Sequence, residues 1–234
     1  MNFAASMVER VIAERAKGNP AAAEQAREFV RALLGRNEFA CQPGSEQARR
    51  LKTELLSRGL WSQYLEVGLG PDAEVFTKAQ PMSAVGFGMP VGLHPDSSWN
   101  NPEPEVVLAV NSRAQVVGAT LGNDVNLRDL EGRSALLLGR AKDNNASCAI
   151  GPFIRLFDEH FNIDTVRSID VTLRVLGRDG FSLEAISSMR MISRDPLDLV
   201  AQTMGTTHQY PDGMMLFLGT MFAPTQDRGE PGAG

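Results

Sequence analysis

Three acids flank two apolar runs and the turn between them: Glu103 and Glu105 in Pro102-Glu103-Pro104-Glu105, and Asp124 in Gly122-Asn123-Asp124. Two like charges ~4 Å apart repel by about 4 kcal/mol at an effective dielectric near ~20. Carboxylates gathered at one point therefore need protons or a cation. Three monodentate carboxylates with open positions beside them suit an octahedral Mg2+ or Mn2+, hard ions that prefer oxygen. An ion of that kind polarises a carbonyl and acidifies the C–H groups next to it. The competing reading is three ordinary solvated acids on a hairpin.

Lys142, in Ala141-Lys142-Asp143, follows on the same stretch of chain. A lysine near a metal can move a proton or hold an enolate; a surface lysine is the alternative. His94, His160 and His208 lack zinc-ligand spacing. HExxH, GxSxG and Walker patterns are missing. Gly68-Leu69-Gly70 and Gly86-Phe87-Gly88 lack the strand and helix that a dinucleotide fingerprint requires and read as turns.

The acids need a scaffold, and the flanking sequence supplies one. Apolar runs at 104–110 and 115–121 surround Asn111-Ser112-Arg113-Ala114, the pattern of a β-hairpin. Side chains alternate along a strand, so Glu103 and Glu105 share a face. A turn centred between Ser112 and Arg113 sets 105 opposite 120 and 103 opposite 122, with Asp124 on the same face just past the strand end. A one-residue slip in register would disperse the three. Further strands are expected at 73–78, 168–176, 181–188 and 213–219, with Asp179-Gly180 as a hairpin turn. Helices are expected over 5–17, 20–35 and from an N-cap at Ser45 to Gly59, then from Asp195-Pro196 to about Gly205. Residues 126–131, between Asp124 and Lys142, look like a short helix. The chain thus reads as a helical segment over 1–60 and a β-rich region over 61–234.

The composition is that of a globular protein. Of 234 residues, 43% are hydrophobic and 22% charged, enough to bury a sizeable core. The net charge of −5 and the scattered Lys and Arg offer no footprint for nucleic acid or an anionic membrane. No apolar run approaches the ~20 residues of a membrane span. The two cysteines, Cys41 and Cys148, lie far apart and form no disulfide framework. With no signal-peptide pattern at the N-terminus, a cytoplasmic location is expected.

Several strings carry a likeness. Pro102–Glu105, GNDVNLRDLEG (122–132) and AKDNNASCAIGP (141–152) resemble the fumarylacetoacetate hydrolase superfamily. Within it the likeness is to the branch that dehydrates 2-keto-3-deoxy-xylonate and -arabinonate. It extends to FAASMVERVIAERAKG at the start, GLWSQYLEVGLGPDAEVFTKA (59–79), SSWNNPEPE (97–105), SMRMISRDP (188–196) and HQYPDGMMLFLGTMFAPTQDR (208–228). The resemblance implies an α+β fold, a mixed β-roll with an N-terminal helical segment, and a homo-oligomer. It also implies that this chain lacks the family's N-terminal domain and its last strands.

By the same resemblance Glu103, Glu105 and Asp124 are Mg2+ (or Mn2+) ligands and Lys142 is the active-site lysine. Arg128 and Glu131 share its wall, Thr220 receives the substrate carboxylate, and Lys78 and Ser6 border the pocket. The implied substrate is a small 2-oxo acid with a hydroxyl two carbons beyond the ketone, dehydrated to 2,5-dioxopentanoate. Hydrolytic cleavage of acylpyruvates is the alternative, although that chemistry usually goes with a His–Glu dyad near Ser6, and no histidine precedes His94. An inactive shortened copy is the other alternative.

Overall fold

A computed structural model of the chain describes residues 42–222 together with the single positions 28 and 226. The helices expected over 5–17 and 20–35, and Ser6 with them, lie outside the described residues. The chain divides into two compact units: residues up to Glu74 joined by Met191–Asp198, and Val75–Arg190 joined by the segment from Leu199 onward.

The first unit contains α1 (Glu46–Ser57) and α2 (Gln63–Leu69). Ser45 and Ser62 start them, each hydroxyl accepting a backbone N–H three residues on. Leu51 and Leu55, one helical turn apart, are buried with Ala48, Leu65 and Leu69. Gly59, at φ +65°, stands just beyond the end of α1, as the sequence predicts. The guanidinium of Arg194 donates to the carbonyls of Val67, Gly70, Pro71 and Asp72, satisfying acceptors that the end of α2 leaves open.

The second unit is built on a five-stranded mixed sheet. Its strands are β1 (Val85–Gly86), β3 (Pro104–Val110), β4 (Val116–Asp124), β6 (Cys148–Leu156) and β9 (Met214–Phe217), in the order β1-β6-β4-β3-β9. Between β1 and β3 comes β2 (Asn100–Asn101), which pairs with β5 (Asn126–Leu127). The hairpin β7 (Asp170–Leu176) and β8 (Ser182–Ser188) forms a sheet of its own. Short helices α3 (Arg128–Glu131) and α4 (Leu138–Lys142) follow β5, and Leu127, Leu130 and Ala141 bury one another there. The helix α5 (Ile163–Val166) precedes β7, and α6 (Pro196–Thr203) starts at the predicted Asp195-Pro196 pair.

Three expectations change. Residues 73–78 form no strand; the segment ends with Lys78 turned inward to bond backbone carbonyls instead of a neighbouring strand. A strand not anticipated, β6, runs through Gly151-Pro152. Proline has no N–H for a ladder, and pairing with β4 breaks between Leu121↔Gly151 and Ala119↔Arg155.

The third change is the β3–β4 register. Glu105 faces Gly122 rather than 120, and Pro104 faces Asn123. Two local features cause this. The turn is a three-residue loop, with Asn111 N–H donating to Gln115 O at 2.9 Å and Ala114 at φ 59°, a left-handed position. A bulge then shifts the register between Ala109 and Val110. Each displaces the pairing by one residue, so together they restore the face that either alone would have reversed.

Candidate metal centre

The corrected register brings the acids closer than the expected one. Asp124 N–H donates to Glu103 O at 3.0 Å, so these two are direct cross-strand neighbours. Glu105 is the next residue on the same face. Opposite it stands Gly122, where a Cβ would lie 2.3 Å from the Phe217 ring and 2.6 Å from Val107 Cγ2. One carboxylate oxygen from each of Glu103, Glu105 and Asp124 lies within 4.8 Å of the other two.

Lys142 joins them through the start of β6. Cys148 pairs with Asp124. The turn before it folds back, with Ala146 at φ 59° and Val125 N–H donating to Ser147 O. That sets Lys142 at the end of α4 beside the acids, its Nζ 2.5 Å from Glu103 Oε2 and 3.3 Å from Asp124 Oδ2. Lys78 stands on the other side of Asp124, its Nζ 3.0 Å from Oδ1. It donates to Val125 O at 2.8 Å, Lys142 O at 2.6 Å and Ser147 Oγ at 3.2 Å.

Burial sets the electrostatics. Glu105, 3% exposed, has its carboxyl pushed well above the usual range by burial and then by Asp124 and Glu103; the Gly219 N–H, donating to Oε2 at 2.7 Å, opposes this. Glu103 is raised by burial, against the pull of Lys142 and with Asp124 adding to the rise. Burial also pulls the Lys142 ammonium down, but Glu103 and Asp124 outweigh it and hold the group above its ordinary value. Lys78 goes the other way: burial lowers it more than Asp124 raises it. Cys148, beside the acids, is pushed up to about 11 by burial, so its thiol is protonated at neutral pH.

The donor set fits a hard divalent ion. It is all oxygen, and two of its three acids are held back from ionising by burial and by their neighbours. Asp124 Oδ1 is buried with an ion-pair contact to Lys78 but no hydrogen bond.

The other expected site residues take varied places. Glu131 accepts from Asn126 Nδ2 at 2.6 Å. The Arg128 guanidinium lies 4.5 Å from the Trp99 ring centroid. The Thr220 hydroxyl accepts from Phe222 N–H and follows the Gly219 N–H that holds Glu105. The structure adds Asn126 and Ser147, which sequence reasoning did not name as site residues. Asn126 lies within GNDVNLRDLEG, but a lone asparagine in a short polar string also reads as a turn residue.

No protein-family model matches the chain. It is 34% identical over 158 residues to the 2-dehydro-3-deoxy-D-arabinonate dehydratase of Saccharolobus solfataricus, covering 67% of this chain and 51% of that protein. It is 31% identical over 185 residues to a probable 2-keto-3-deoxyxylonate dehydratase of Haloferax volcanii, covering 78% and 60% respectively. The chain thus spans little more than half the length of the curated relatives it matches. Among solved structures, 2-keto-3-deoxy-D-arabinonate dehydratase complexed with magnesium and 2,5-dioxopentanoate matches with a TM-score of 0.60 and 32% identity, over 64% of this chain and 52% of that one. The apo form of that dehydratase matches with a TM-score of 0.64, also at 32% identity, over 70% and 56%. By sequence and by fold, the mixed-sheet α+β architecture included, the chain belongs to the fumarylacetoacetate hydrolase superfamily, on the side of its 2-keto-3-deoxy sugar-acid dehydratases.

Proposed function

We propose that this chain carries the centre of a magnesium-dependent hydro-lyase that converts a 2-keto-3-deoxypentonate to 2,5-dioxopentanoate. The observation that carries the reading is the convergence of Glu103, Glu105 and Asp124 within 4.8 Å, with the Lys142 ammonium against two of them. The relatives' dehydratase chemistry, and the magnesium and 2,5-dioxopentanoate of the solved complex, supply the reaction.

Glu103, Glu105 and Asp124 would hold the ion. Bound there, Mg2+ supplies Lewis acidity toward a 2-oxo group and the acidity of the C3 protons beside it. The chain's own groups do the rest. Lys142, held charged by Glu103 and Asp124, offers positive charge to the C2 oxygen as the C3 proton leaves. The C3 proton and the C4 hydroxyl leave together as one water, giving a C3=C4 double bond conjugated to the ketone. Loss of a proton from C5 and gain of one at C3 move that double bond to C4=C5, and this enol tautomerises to the C5 aldehyde. Arg128, Glu131 and Thr220 line the substrate's polar side. Lys78 spends its ammonium on Asp124 and three other oxygens, which holds Asp124 and the Lys142 backbone in place. Phe153 and Leu156 on β6 are 83% and 60% exposed, which supports a homo-oligomer; the reading places it in the cytoplasm.

The test is direct. Supplied with Mg2+ and either 2-keto-3-deoxy-D-arabinonate or 2-keto-3-deoxy-D-xylonate, the chain should produce an aldehyde proton signal by NMR. The signal should vanish in chelator and return with added Mg2+. Undiminished turnover in chelator, or cleavage of acylpyruvates with both pentonates untouched, would overturn the reading.

A further inference from the structure

Asn126 touches the metal centre without belonging to the carboxylate set. Its side chain is buried, at 4% exposure. Nδ2 donates to Glu103 Oε1 at 2.9 Å and to Glu131 Oε2 at 2.6 Å. Both N–H bonds of one amide thus tie a ligand carboxylate to the carboxylate at the end of α3. The backbone under it is fixed as well, because Asn126 pairs with Asn101 in the β2–β5 ladder.

The amide has only one usable orientation. Turned over, its carbonyl would face two carboxylates. In the orientation found, Oδ1 is buried with no hydrogen-bond partner, a deficit that the two charge-assisted bonds must offset. A buried asparagine retained in this form has its donors committed to the acids.

The consequence falls on Glu103. With Oε1 occupied by Asn126, the Glu103 carboxylate cannot swing freely, and Oε2, the oxygen that meets Lys142, is the one left to face the centre. Resting on the metal-centre reading above, we infer that Asn126 is a positioning residue: it holds Glu103 in the orientation that binds a divalent ion through one oxygen, and Glu131 anchors it from α3. Outer partners of ligating carboxylates commonly set metal affinity in this way.

The experiment is a Mn2+ titration followed by electron paramagnetic resonance, which reads ion binding without turnover. Wild type should bind Mn2+. Asn126→Ala should bind about 10–100-fold more weakly, with its melting temperature in chelator near that of wild type, and saturating Mg2+ should recover most of its kcat. Asn126→Asp keeps the size, removes the donors and adds a charge, and should lose the same affinity or more. Glu131→Ala leaves the Glu103 bond intact and should show a smaller loss. It also serves if the Asn126 variants do not fold, since unchanged affinity there removes the anchor and with it the proposal. Wild-type affinity in either folded Asn126 variant, or a kcat loss that saturating metal does not reverse, overturns the positioning role and leaves the metal-centre reading standing. A wild-type chain that binds no Mn2+ overturns both.

Discussion

Two hairpins of similar length behave differently in this chain. In β7–β8 every pair from Asp170↔Ser188 to Leu176↔Ser182 follows one register without interruption. That hairpin is a two-stranded sheet with largely exposed side chains. In β3–β4 the turn is a residue longer than a tight hairpin turn, a bulge shifts the register, and β3 is buried along its whole length between β4 and β9. The regular hairpin carries no chemistry of its own among the described residues, whereas the irregular one carries the acids. A buried strand end can hold carboxylates in fixed relation, and low local dielectric makes their mutual repulsion large enough to need protons or a cation.

The largest effect should come from the proposed ligands themselves. Glu105→Gln or Asp124→Asn should lower turnover by about a thousandfold, since Lewis-acid stabilisation is worth several kcal/mol at about 1.4 kcal/mol per tenfold. Initial rates with excess Mg2+ check this, and near-wild-type rates would remove the distinction between the two hairpins.

Next comes Lys78→Met. It deletes the buried partner of Asp124 and the donor to two backbone carbonyls, so the metal-free protein should lose about 3–5 kcal/mol in urea unfolding. Added Mg2+ should return part of it by mass action. A further variant, Gly122→Ala, drives a methyl into Phe217 and Val107, and overpacking of this kind costs about 1–3 kcal/mol by the same measurement.

Titration sharpens the contrast further. Glu103 and Glu105 have folded-state pKa values above the ordinary 4.5, so their contribution to stability is fully present below that value and is lost as pH rises through the raised ones. Thermal melts of the metal-free protein should therefore fall with rising pH in that window, and Mg2+ should suppress the fall. Protons should compete with the ion over the same range. The smallest effect belongs to the regular hairpin: Ile186→Thr, at a position 62% exposed, should change stability by no more than about 0.5 kcal/mol.

Much of this was legible in the residues. The hairpin and the shared face of Glu103 and Glu105 followed from alternation, the Asp179-Gly180 turn from its dipeptide, and α1 and α6 from their caps. Lys142 was legible as a candidate, but its contact with Glu103 was not, because that contact depends on a turn at Ala146 and on a strand that runs through a proline. Lys78 was expected at the end of a strand; residues 73–78 form none, and its ammonium ties together Asp124, Val125, Lys142 and Ser147. Asn126 could not be found by spacing, since β5 has only two residues and periodicity needs more.

Sequence alone determined which groups were available: three acids, a lysine and a hairpin pattern to carry them. It also determined the face they share, because a strand's side chains alternate whatever its partner. Tertiary structure decided the pairing that brought Asp124 opposite Glu103, through a turn and a bulge whose one-residue shifts combine. Depth of burial was decided there too, and burial by distant strands is what makes the charge of nearby acids something that protons, the Lys142 and Lys78 ammoniums or a metal ion must balance.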